Sequence, residues 1–120
     1  MRVRMLLVVT AIGTSSWLAA CSAPAAGNTC AKAEDCPEEQ ECLTEFKGGY
    51  CGTKGCTKDE DCTDDTICVA YEGANYCFLK CVDKADCNAN RPADQESNCV
   101  SSIVAVGSSG SKACVPPAGD

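Results

Sequence analysis

Apolar positions are unevenly spread along the chain. One long run, Met5-Leu-Leu-Val-Val-Thr-Ala-Ile-Gly-Thr-Ser-Ser-Trp-Leu18, follows the basic start Met1-Arg-Val-Arg4. Further on, apolar residues come in short groups on either side of glycine-containing turns. Leu43-Thr-Glu-Phe46, Lys47-Gly-Gly49 and Tyr50 form one such group, and Val69-Ala-Tyr71, Glu72-Gly-Ala-Asn75 and Tyr76 form a second. A longer version places Val100-Ser-Ser-Ile-Val-Ala-Val106 before Gly107-Ser-Ser-Gly110. β-formers flanking a glycine turn predict small hairpins. The stretch Asn88-Ala-Asn-Arg-Pro-Ala-Asp-Gln-Glu-Ser97 is polar and reads as a surface loop.

The leading run is too short to span a bilayer, which takes about twenty apolar residues, and it carries Thr and Ser. A basic start followed by an apolar segment of this length is the pattern of an export signal, assigned to residues 1–20. Its end, Leu18-Ala-Ala-Cys21, resembles the lipobox of bacterial lipoproteins, in which a peptidase cuts before a cysteine that carries lipid. The resemblance implies acylation of Cys21, with Ser22 after it pointing to the outer membrane of a Gram-negative envelope. Two or three acyl chains, at about 0.8 kcal/mol per buried methylene, make a lasting anchor. Residues 21–29 then read as a flexible tether, about 28 Å long if extended and about 16 Å as a coil.

Cysteine spacing organises the remainder. The positions 30, 36, 42 and 51 recur 26 residues later at 56, 62, 68 and 77. Cys30-Ala-Lys-Ala-Glu-Asp-Cys36 matches Cys56-Thr-Lys-Asp-Glu-Asp-Cys62, and a third copy opens with Cys81-Val-Asp-Lys-Ala-Asp-Cys87. Two six-residue insertions carry its last cysteines to 99 and 114. Three tandem four-cysteine modules follow, at 30–55, 56–80 and 81–115, with a tail at 116–120. Each module is expected to be a short helical turn between its first two cysteines followed by a small hairpin.

Composition explains why sulfur has to hold such a chain. The 120 residues contain 13 cysteines and no histidine, with 10 basic against 17 acidic residues. From residue 21 onward, Leu, Ile, Val and Phe make up only 12 of 100 residues and the net charge is −9. That is the composition of a disordered chain unless cross-links replace the core. Setting Cys21 aside leaves an even 12, enough for six bridges. Each would contribute about 3 kcal/mol in an oxidising compartment. The expected fold class is therefore small and disulfide-rich with little hydrophobic core.

Twelve cysteines admit about ten thousand pairings. Closure within each copy leaves three, and the helical turn disfavours first-to-second because its ends lie about 9 Å apart. First–third with second–fourth gives Cys30–Cys42, Cys36–Cys51, Cys56–Cys68, Cys62–Cys77, Cys81–Cys99 and Cys87–Cys114. First–fourth with second–third is the alternative.

The string Cys-x4-Asp-Cys-x5-Cys, followed by a glycine-turn hairpin and a fourth cysteine, resembles the Dickkopf N-terminal cysteine-rich pattern. It is also similar to the nematode EB module. The match covers residues 30–77 well and 81–114 less closely, and it implies architecture alone.

Candidate chemistry is sparse. Without histidine there is no Ser-His or Cys-His dyad and no His-ligated zinc, so no enzyme and no catalytic residues are expected. The acidic balance argues against nucleic acid as a partner. No Cys-x-x-Cys pair occurs, so no metal or other cofactor is expected apart from lipid on Cys21. Asp59, Asp61, Asp64 and Asp65 lack the glycine and closing glutamate of a calcium loop. Asp35, Asp61 and Asp86, each before a second cysteine, read as caps of the short turns.

Tyr50 and Tyr76 are expected to pack on disulfides with Phe46, Tyr71 and Phe78 nearby, and Tyr71 at the hairpin tip is the candidate partner contact. The functional expectation is a lipid-anchored, non-enzymatic binding or structural module at the cell envelope with a protein partner and no small-molecule substrate. A disulfide-rich protease inhibitor using the Gly107–Gly110 loop is the alternative. Reduction and alkylation should abolish cooperative thermal unfolding, followed by circular dichroism, because nothing else in this composition replaces the cross-links.

Overall fold

The computed structural model describes Gly13, residues 24–101, 103–106 and 110–119, with Val104 described by its backbone only. The expected export signal, Cys21 and most of the Gly107–Gly110 loop lie outside the described residues. Among the described residues there are seven strands: β1 Glu41–Cys42, β2 Cys51–Lys54, β3 Thr66–Tyr71, β4 Ala74–Cys81, β5 Asn98–Val100, β6 Val104–Ala105 and β7 Lys112–Val115. All pair antiparallel, in the order β1-β2-β4-β3-β6, with β7 joining β4 and β5. The protein is thus a small disulfide-rich fold built mainly on antiparallel sheet.

Six disulfides close loops of 12 to 27 residues among the described residues. In each copy the third and fourth cysteines face each other across a hairpin: Cys42 with Cys51, Cys68 with Cys77, Cys99 with Cys114. The third is bridged to the first and the fourth to the second, as in Cys30–Cys42 and Cys36–Cys51. Cys56–Cys68, Cys62–Cys77, Cys81–Cys99 and Cys87–Cys114 repeat the arrangement. Each turn is therefore fastened at both ends to one hairpin.

The turns themselves differ from expectation. Ala33–Asp35 and Asp59–Asp61 are single 3-10 turns, and α geometry occurs only in the third copy, as α1 Lys84–Cys87. Tight i-to-i+3 closure suits so short a run between cross-linked ends. In the third copy Asp83 Oδ1 accepts from the Ala85 N–H at 3.2 Å, a side-chain cap that the other two lack.

The expectation of little core needs a second correction. Beyond the buried cystines of the second and third copies, the copies share one cluster of Leu43, Phe46, Tyr50, Ile67, Val69, Tyr76, Phe78 and Ala113. The aromatics pack mainly on one another. Phe46 lies 5.2 Å edge-on to Tyr76 and 5.8 Å from Phe78, while Tyr76 and Phe78 stack at 5.3 Å. Strand β4 is the common seam, with β3 on one edge and both β2 of the first copy and β7 of the third on the other.

Tyr50 is fully buried at the meeting point of the copies. Its hydroxyl donates to the Cys114 carbonyl at 3.2 Å and accepts from the Leu79 N–H at 3.0 Å. Burial pushes its phenol well above the ordinary tyrosine range.

The segments expected as tether and tail are also tied to the body. Ala26 is buried, Gly27 N–H donates to Cys51 O at 2.9 Å, and Cys51 N–H donates to Asn28 O at 3.0 Å. At the other end Ala118 bridges to Phe46, and Lys47 N–H donates to Pro117 O at 3.1 Å. Short backbone pairings of this kind turn composition-neutral segments into part of the sheet. Replacing Tyr50 with Phe would leave the half-buried Leu79 N–H and the buried Cys114 carbonyl short of a partner. The Y50F variant should lose about 1–3 kcal/mol in denaturant unfolding with all bridges intact.

Candidate functional site

The β3–β4 hairpin turns on Glu72 and Gly73, with φ of +46° and +85°. Two successive left-handed residues make the two-residue turn that suits strand twist, and Asn-Gly is its usual occupant. Glu72 is the one non-glycine residue with positive φ among the described residues. Beside this tip lies a notch of about 150 Å³ lined by Glu45, Phe46, Tyr71, Glu72, Tyr76 and Ala118.

Tyr71, the candidate partner contact, is half-buried there, its ring 6.1 Å from both Phe46 and Phe78. Lys54 Nζ approaches Glu45 Oε2 at 3.2 Å and lies 5.6 Å from the centre of the Tyr76 ring. The Tyr76 hydroxyl donates to the same carboxylate oxygen at 3.3 Å. Hydrogen bonding to Glu45 holds Lys54 above its ordinary pKa, and partial burial does the same for Tyr76. The notch combines aromatic rings with carboxylates, a surface suited to a partner's cationic or amphipathic side chains.

Two wider grooves, of about 490 and 500 Å³, meet at Lys80, Gly110 and Ser111. Both are bounded by the loop whose residues 107–109 lie outside the described set, whereas the notch is built wholly of described residues.

The recurring aspartates occupy equivalent places. Asp35 Oδ2 accepts from the Ala31 and Lys32 N–H groups at 2.9 and 3.2 Å. Asp86 Oδ2 accepts from Val82 and Asp83 at 2.9 and 3.1 Å. Asp61 Oδ2 accepts from the Thr57 N–H at 2.9 Å and its hydroxyl at 2.8 Å. Backbone N–H donors pointing at the carboxylate hold all three below the ordinary value of 3.8. Each carboxylate orders the chain entering its turn, so these groups are committed to local structure.

Sulfur atoms also cluster. Those of Cys30, Cys36 and Cys51 lie within 4.8 Å of one another, as do those of Cys56, Cys62 and Cys68 and those of Cys81, Cys87 and Cys114. Every one is in a bridge, so none presents the thiolate that a metal takes as ligand.

Sequence reasoning missed Arg91, which lies within the stretch expected as a surface loop. It is 7% exposed, and its guanidinium donates to four carbonyls. They are Gln95 at 2.6 Å from Nε, Gly27 and Gly49 at 3.2 and 2.9 Å from Nη1, and Lys47 at 2.8 Å from Nη2. It also lies 5.7 Å from the centre of the Tyr50 ring. Asn88 closes the same loop, giving Nδ2 to Ser97 O at 2.9 Å and taking the Ser97 N–H on Oδ1 at 2.7 Å. The available signal was that Arg91 is the single arginine after residue 4.

Comparison with known protein families, characterised proteins and solved structures finds no match. No helix among the described residues is long and apolar enough to cross a membrane.

The aspartates yield a pH prediction. Because their folded pKa values are lowered, their contribution to stability is full above the unfolded value and is lost as pH falls through the folded values. A triple variant with asparagine at positions 35, 61 and 86 should be less stable than the parent at neutral pH. That gap should narrow below pH 3.8 in denaturant titrations run across pH.

Proposed function

We propose that this protein is exported, acylated on Cys21 and held at the cell envelope as a non-enzymatic binding or structural module. The observation that carries the reading is the cysteine balance. All twelve cysteines from Cys30 to Cys114 are consumed in six bridges, which leaves Cys21 over. A spare thiol in an oxidising compartment invites cross-linking, and acylation removes it. The order of basic, apolar, small and cysteine residues before Ser22 supports the same reading, with the outer membrane of a Gram-negative cell as the destination.

In this reading the body is three tandem Dickkopf-N-like modules, each a cross-linked turn on a hairpin, fused by β4. Its partner is a protein that meets the notch around Tyr71 and Glu72. A rigid, cross-linked tip loses little entropy on binding, which favours recognition by a preformed surface.

Intact-mass analysis of protein extracted from membranes, with and without reduction, tests both halves. The expected result is an acyl mass on the peptide beginning at Cys21 and six bridges elsewhere. An unmodified Cys21 would overturn the anchor. Incubation of the purified body with a panel of proteases should leave all of them active, and stoichiometric inhibition of any one would replace the binding-module reading with that of an inhibitor.

A further inference from the structure

We infer that Arg91 is a clasp that fixes the chain just after the anchor, so that one defined face of the body lies against the bilayer. This inference rests on acylation at Cys21, the reading proposed above. A flexible tether through residue 29 would let the body turn freely. Instead the chain is captured by Ala26: that residue is buried, and Gly27 and Asn28 pair with Cys51. The Arg91 guanidinium then holds the Gly27 carbonyl together with those of Lys47 and Gly49. Asn90 Nδ2 adds a bond to Asn28 Oδ1 at 3.2 Å.

Five residue steps separate Cys21 from Ala26, a reach of at most about 18 Å. Those five steps are too few to let the opposite side of the body come down onto the lipid. The surface at Asn28 and Asn90, over the buried Gly27, is therefore the bilayer-facing one.

The far end follows from the hairpin. A Cβ placed on Gly27 would lie 3.2 Å from the Leu79 side chain, which puts Gly27 at the base of the β3–β4 hairpin, where Leu79 pairs with Thr66. Tyr71 and Ala74 close the other end. Six residues of strand from Leu79 to Gly73 carry the tip about 20 Å away from the clasp. The notch accordingly points away from the lipid, into the space where a partner is met.

Two measurements separate the clasp from the anchor. The first uses the protein with Cys21→Ala, free of lipid, and follows amide hydrogen exchange by NMR. Gly27 and Cys51 should be protected, and R91A should speed exchange at both by about tenfold with six bridges still present by mass. R91K should fall in between, because one ammonium cannot reproduce the planar fork. No protection in the parent, or no change in R91A, would overturn the clasp while leaving acylation standing.

The second uses the acylated protein in phosphatidylethanolamine–phosphatidylglycerol nanodiscs carrying a gadolinium-chelating lipid. Line broadening should be at least about tenfold stronger at Gly27, Asn28 and Asn90 than at Glu72 and Gly73, given the separation along the hairpin. Equal broadening at both ends would overturn the orientation even with the clasp intact. Absence of acyl mass on Cys21 would overturn the orientation and the anchoring together, with the exchange measurement still deciding the clasp.

Discussion

Every other feature depends on covalent closure across a two-strand pair. In each copy two cysteines face each other on neighbouring strands, and each is bridged back to one end of a turn too short to hold itself. Removing chain entropy from the unfolded state in this way contributes about 3 kcal/mol per bridge. The same sulfurs also serve as interior. Cys51, Cys68 and Cys114 are fully buried, and the two bridges of each copy stack within 4.8 Å. Cystine here does the work that leucine does in larger domains, as a nonpolar, close-packing group whose position is set by its bond.

Bridges confined to single copies would yield three linked beads. Polar groups and one strand make them a single body. β4 receives strands from all three copies, and Tyr50 joins the first copy to the second and third through a single oxygen. Arg91 reaches from the third copy to carbonyls 42 and 64 positions away. Burying a guanidinium without a carboxylate is costly in itself. Four carbonyl acceptors and the face of Tyr50 offset that cost, and no acid has to be buried with it. At Gly49 the fit leaves no room for a side chain, since a Cβ there would collide with the Cys30 carbonyl.

Local periodic features were legible in the sequence, and contacts between copies were not. Cysteine spacing marked the repeat, and glycine turns between β-formers marked the hairpins, because both are short-range patterns. The aspartate before each second cysteine was legible for the same reason, since its partners lie three and four residues away. Counting apolar residues copy by copy missed that Phe46, Tyr50, Tyr76 and Phe78 are pooled across copies. The docking of residues 26–28 and of Ala118 left no trace, because small residues joined by backbone hydrogen bonds have no signature in composition or period, and the lone Arg91 stood out without showing which carbonyls it would meet.

The two ends of the β3–β4 hairpin are built on opposite principles. At its base, donors and acceptors are matched: Arg91 donates to the Gly27 carbonyl, Gly27 N–H donates to Cys51 O, and the Tyr50 hydroxyl accepts from the Leu79 N–H. At its tip, Glu72 holds a left-handed conformation that asparagine or glycine would adopt more easily, a cost of order ~1 kcal/mol. The carboxylate lands on the rim of a notch that already holds Glu45 and three aromatic rings. Two acids thus share this rim, and the charge of one of them, Glu45, is met by Lys54. In the binding reading proposed above, Glu72 supplies negative potential that a partner's cationic group would meet, and the cross-linked frame keeps it in place.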